Sequence, residues 1–104
     1  MIRDVRARSF SFDAKTGTAV IDVGSGGGAT SRAKGAMLLD SRGRLVGVDV
    51  DPDSVSRTCV LLGPHEAVVR TVDARLEVSR DGSGEITRVV VHGATASQGG
   101  ERYA

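Results

Sequence analysis

The chain has 104 residues, enough for one domain with a modest core, and only three aromatics, Phe10, Phe12 and Tyr103. With 14 basic against 13 acidic residues, it lacks the basic face with stacking aromatics that marks a nucleic-acid binder, and nucleic acid is not an expected partner. One cysteine, Cys59, excludes an intrachain disulfide framework, and no apolar run reaches membrane-span length, so a cytoplasmic setting without membrane contact is expected.

Residues 1–8 carry four charges, Arg3, Asp4, Arg6 and Arg8, and read as a flexible tail. Residues 9–12 alternate Ser with Phe10 and Phe12, and 18–23 form a Val-Ile run. Between them Asp13-Ala14-Lys15-Thr16-Gly17 supplies an Asp to bond the local backbone and a Gly for positive φ, which is a hairpin signature. Two later turns share the form: Asp40-Ser41-Arg42-Gly43, and Arg80-Asp81-Gly82-Ser83-Gly84 before the run 85–92. Val46, Val48 and Val50 alternate with Gly47, Asp49 and Asp51, and Leu76 and Val78 with Arg75, Glu77 and Ser79. Period-two patterning predicts strands with one buried and one wet face. The runs Leu61-Leu62 and Val89-Val90-Val91 break it and read as central strands.

Three stretches stay open. Gly24-Ser25-Gly26-Gly27-Gly28 is either a cofactor loop or a flexible connector between hairpins. Residues 29–39 are either a helix with a thin apolar face (Ala29, Ala33, Ala36, Met37) or, at 36–39, a strand. Residues 53–62 are either a helix capped by Asp53 and stopped at Gly63-Pro64, or a strand over 57–62. Residues 94–104 read as a second flexible tail, leaving a single β-rich domain over 9–93.

Two resemblances follow from these residues. Phe10-Ser11-Phe12-Asp13, Ala19-Val20-Ile21, Met37-Leu38-Leu39-Asp40 and above all Gly43-Arg44-Leu45-Val46-Gly47-Val48-Asp49-Val50 resemble a family of small bacterial domains of unknown function. That resemblance covers under half the chain and implies a double-hairpin fold without naming an activity. Asp22-Val23-Gly24-Ser25-Gly26-Gly27-Gly28, followed by a second strand ending in Asp49, resembles class I S-adenosylmethionine methyltransferases. That resemblance implies an α/β domain with Asp22, Gly24, Gly26 and Gly28 around the cofactor's methionine part and Asp49 on its ribose. The chain is short for such an enzyme, and a hairpin is out of place before its first parallel strand.

Other chemistry is thin. Asp49, Asp51 and Asp53 alternate as in a calcium loop, but Ser54 and Val60 stand where an EF-hand needs Gly and Glu. His65 and His92 have no metal-spaced partner. Cys59 sits among Val60, Leu61 and Leu62 as a small buried hydrophobe, and Ser25 lacks the context of a nucleophile elbow. The sequence therefore predicts an all-β or β-rich domain of about six antiparallel strands in a single sheet or small sandwich, with at most one short helix. It is expected to be a non-enzymatic protein-binding, assembly or regulatory module, forming a homodimer or binding another protein, with no cofactor, catalytic residue or metal. The alternative is the S-adenosylmethionine-binding domain. A regulatory site for a small metabolite at 24–28 is compatible with either fold.

Overall fold

The computed structural model describes residues 3–13, 15–24, 28–53 and 57–92. Eight strands follow in chain order: β1 (Arg3–Arg6), β2 (Ser9–Asp13), β3 (Thr18–Asp22), β4 (Ala29–Leu39), β5 (Leu45–Val50), β6 (Thr58–Leu61), β7 (Arg70–Arg80) and β8 (Ile86–His92). One 3-10 turn, His65–Ala67, precedes β7. The strands form one sheet in the order β1-β6-β5-β4-β7-β8-β3-β2, antiparallel throughout except where β1 runs parallel to β6. The all-β class expected from the Val-rich, alternating sequence is the class observed.

The sheet must curl. Laid flat, seven inter-strand steps of about 4.8 Å would hold its edges about 34 Å apart. Yet the edge strands β1 and β2 are consecutive, and the three steps from Arg6 to Ser9 reach at most about 11 Å. Ala7 and Arg8 make the closure. The Ala7 N–H donates to the Leu61 carbonyl on β6 (2.8 Å), and the next amide, of Arg8, donates to the Asp22 carbonyl on β3 (2.7 Å). One bent N-terminal strand thus ties both edges. This corrects the expected tail at 1–8: from Arg3 onward it belongs to the sheet. Charges alternating along 3–8 concealed it, because an edge strand needs only a backbone partner.

The three Asp-Gly turns close the hairpins β2–β3, β4–β5 and β7–β8, as their sequences predict. Asp40 Oδ1 accepts the amides of Arg42 and Arg44 (2.9 Å each) and Oδ2 accepts Arg44 Nε (3.0 Å). Asp81 Oδ1 does the same for Ser83 and Glu85. Gly43 and Gly84 take φ of 78° and 87°, a region open to glycine and strained for other residues.

Inside the curl lie Ile21, Met37, Leu39, Leu45, Val48, Val50, Val60, Leu76, Val78, Val89 and Val91 with Ala19 and Ile86. Each large aliphatic side chain removed from water there contributes about 1.5–3 kcal/mol. A second, smaller cluster (Leu38, Cys59, Leu61) occupies the outer face of β4 and β6, with Val68 packed on it. The 62–69 connection is laced down by bonds from Leu62 and Gly63 N–H to the Val46 carbonyl and from Val69 N–H to the Leu39 carbonyl. Strands β5 and β6 are therefore covered on both faces, and Leu45 to Val48 are all buried. The predicted alternation at Val46 fails for that reason and because a bulge sets Leu38 opposite Gly47 but Leu39 opposite Leu45, leaving Val46 between. Conversely, β8 alternates after all: Val89 and Val91 point inward and Val90 is half-buried on the other face.

Two of the open stretches resolve in favour of strands. Residues 58–61 are β6, and the helix start at 53–56 falls mostly outside the described residues. Ala29–Leu39 is strand for eleven residues, paired with β7 from Ala29 opposite Arg80 to Leu39 opposite Arg70. This overturns the α/β alternative, which needs a helix there. The expected tail 94–104 lies outside the described residues. No helix among the described residues is long and apolar enough to cross a membrane.

Candidate functional site

The glycine loop borders a polar groove of about 710 Å³ lined by Arg8, Ser9, Asp22, Gly24, Gly28, Thr30, Ser79 and Arg88. Asp22, at the end of β3, is fully engaged. Its Oδ1 accepts Arg88 Nε at 2.6 Å and its Oδ2 accepts the Ser9 hydroxyl at 3.1 Å. The Arg88 hydrogen bond, with help from Ser9 and the Arg88 charge, holds the carboxyl below its ordinary pKa of 3.8 against the opposing cost of desolvation. On the groove wall the Thr30 and Ser79 hydroxyls share a hydrogen bond of 2.9 Å.

The glycines answer to the fold. A Cβ on Gly28 would lie 1.8 Å from the Arg80 carbonyl oxygen, so glycine is required there by backbone crowding at the end of β7. A Cβ on Gly24 would meet only ordinary contacts with Thr87. The amides of Val23 and Gly24, which a cofactor loop would present to its ligand, both donate to the Thr87 carbonyl (2.9 and 3.1 Å). Gly26 and Ser25 lie outside the described residues. Asp49 does not join Asp22: it stands on β5, with β4, β7 and β8 between that strand and β3, and it points to the outside of the curl. The cofactor constellation implied by the methyltransferase resemblance does not assemble.

Asp49 instead neighbours Cys59. The thiol is buried and donates to the Asp49 carboxylate; burial first, then the negative charges of Asp49 and Asp4, push its pKa up to about 12 against the smaller pull of Arg57. A thiol kept protonated in this way is a poor nucleophile. Asp51, which takes a positive φ of 51°, faces Arg80 (3.9 Å) across the open end of the curl. Another bridge there joins Arg3 to Glu85 (2.7 Å). His92 Nε2 contacts Glu77 Oε2 at 2.5 Å, and His65 is exposed on the 3-10 turn. Among the described residues no three acidic, His or Cys side chains group to hold a metal ion.

What the sequence reading missed is a cationic ladder. Because Met37 points inward, Lys34, Ala36 and Leu38 point outward, and so do their cross-strand partners on β7. Lys34 thus stands directly opposite Arg75, which stands opposite His92, and Arg32 opposite Glu77 one step along. Arg32, Lys34 and Arg75 form no ion pair among the described residues. Like charges directly opposite each other on a sheet are destabilising. The available signal is the alternation Ser31-Arg32-Ala33-Lys34, within the stretch that the sequence alone leaves open between helix and strand.

Compared with protein-family models, curated proteins and solved structures, the chain matches none. The double-hairpin phrase accordingly carries no family assignment, and the argument for function rests on the surface itself.

Proposed function

We propose that the chain is a small non-enzymatic binding and assembly module that works as a homodimer or on another protein. The observation that carries this reading is the uncompensated Lys34–Arg75 pair on the exposed face of the β4–β7 ribbon. A repulsive pair retained on a surface is accounted for when an anionic partner covers it, since complementary charge across an interface supplies orientation and on-rate. The chemistry available elsewhere points the same way: the thiol is buried and protonated, and the Asp22 carboxylate is consumed by Arg88 and Ser9.

The ribbon adds a second reason. β4 pairs with β5 only from Gly35 onward, and β7 pairs with β8 only from Arg75 onward. Half of each long strand therefore has an edge without a strand partner among the described residues, a position that proteins commonly cover. Light scattering at micromolar concentration tests the reading: a mass above that of the monomer is expected. A monomer at every concentration, with no protein partner gained through this face, overturns it.

A further inference from the structure

The outer face carries a second row of charge, one step along the strands from the first and opposite in sign. Val48 and Val50 point inward on β5, Val60 on β6 and Leu76 on β7, so Asp49, Cys59 and Asp73 point outward. In the ladder Asp4 lies opposite Cys59, Cys59 opposite Asp49, Asp49 opposite Ala36, and Ala36 opposite Asp73. Three carboxylates thus share one row, separated only by the small side chains of Cys59 and Ala36. None of the three forms an ion pair among the described residues. The adjacent row is Lys34, Arg75 and His92. Asp73 and Arg75, two residues apart on β7, belong to opposite rows and stay unbridged.

We propose that this face is self-complementary and that its occupant is a second copy of the chain. A two-fold axis lying in the plane of contact, running across the strands between the two rows, keeps each strand over its own copy and so sets Asp73 of each protomer over Arg75 of the other, with Lys34 diagonal to the same carboxylate. The same operation generates both contacts at once, as a closed isologous dimer requires. Ala36, opposite Asp73 and already buried, adds no bulk to the contact. The Lys34–Arg75 repulsion inside each monomer is then relieved by the partner's carboxylate, since among the described residues no carboxylate of the same chain pairs with either cation.

The proposal rests on the assembly reading, and charge reversal separates the two. In sedimentation velocity at micromolar concentration the wild type is expected to be a dimer that weakens about tenfold or more from low to high salt. The variants K34E/R75E and D4K/D73K alter only exposed or edge side chains, and each should keep a wild-type far-ultraviolet circular dichroism spectrum. Each alone removes one side of the Asp73–Arg75 contact and is expected to be monomeric. Mixed in equal amounts, the two reversed faces complement each other and should form a heterodimer. A wild-type monomer overturns the dimer and the self-assembly reading together. A dimer that both variants retain, or that the mixture fails to restore, overturns this face while leaving assembly standing. Binding of an acidic peptide or nucleic acid by a wild-type monomer, lost in K34E/R75E, also overturns the second copy as occupant.

Discussion

The two halves of β4 are one continuous strand in two environments. From Gly35 to Leu39 every residue is buried, between β5 and β7 laterally, the interior on one face and the Leu38–Leu61–Val68 cluster on the other. From Ala29 to Lys34 only Ala33 is even half-buried, β7 is the sole neighbouring strand, and the outward side chains are Thr30, Arg32 and Lys34. Backbone conformation is therefore not what separates the two halves. Covering is: the half with neighbours on all sides anchors the fold, and the half without them offers charge and an open edge.

That contrast can be broken by substitution. Leu39→Ala should cost about 2–5 kcal/mol, because the cavity lies in a region fixed on all sides, whereas Ser31→Ala should change stability by no more than about 0.5 kcal/mol. Urea denaturation of the pair measures both, and similar losses would sink the distinction. The junction is next in size. A Cβ on Gly35 would lie 2.1 Å from Leu76 Cδ1 and 2.8 Å from the Asp49 carbonyl oxygen. Gly35→Ala should destabilise by about 1–3 kcal/mol, while Gly82→Ala, with nothing within 4 Å of its Cβ, should be nearly silent.

The turns and the groove sharpen the contrast through pH. Asp40 and Asp81 have lowered pKa values, Asp40 chiefly from the Arg44 amide and Asp81 chiefly from the Ser83 hydroxyl, and Asp22 is lowered chiefly by Arg88. A carboxyl depressed on folding stabilises the native state above its unfolded pKa, and this contribution is lost as pH falls through the folded value. Melting temperature should be level above the ordinary carboxylate value of 3.8 and drop below it. Asp40→Asn should shrink that drop; an unchanged acid limb would show that the turn contributes nothing to it. The smallest effect at neutral pH belongs to Cys59. A thiol raised from 9.0 to about 12 contributes stability that is full below pH 9.0 and is lost as pH rises toward 12. At pH 8 a maleimide should label it only as fast as the protein opens, and prompt labelling of the native chain would contradict its burial.

Legibility followed the range of the signal. The three Asp-Gly hairpins and the inward Leu76, Val78 and Val48 could be read because a turn and its flanking alternation are local. β1 could not: its partner β6 is parallel and lies far along the chain, and nothing in Arg3-Asp4-Val5-Arg6 encodes that pairing. Residues 29–34 were ambiguous because Ala, Arg and Lys favour helices in isolation, and the β7 ladder overrides that preference. The charged rows were invisible for the same reason, since Lys34 meets Arg75, and Asp4 meets Cys59, only through long-range register.

The most direct test is residue-resolved amide hydrogen exchange along β4. The Lys34 carbonyl accepts the Asp51 amide on the β5 side, so the backbone groups of Thr30 and Arg32 face that open side, while those of Ser31 and Ala33 face β7. Exchange should alternate: fast at Thr30 and Arg32, slow at Ser31 and Ala33, then uniformly slow over 36–38. Uniform protection across 29–39 with helical carbon shifts would contradict the strand and return this stretch to the helix that a cofactor loop requires.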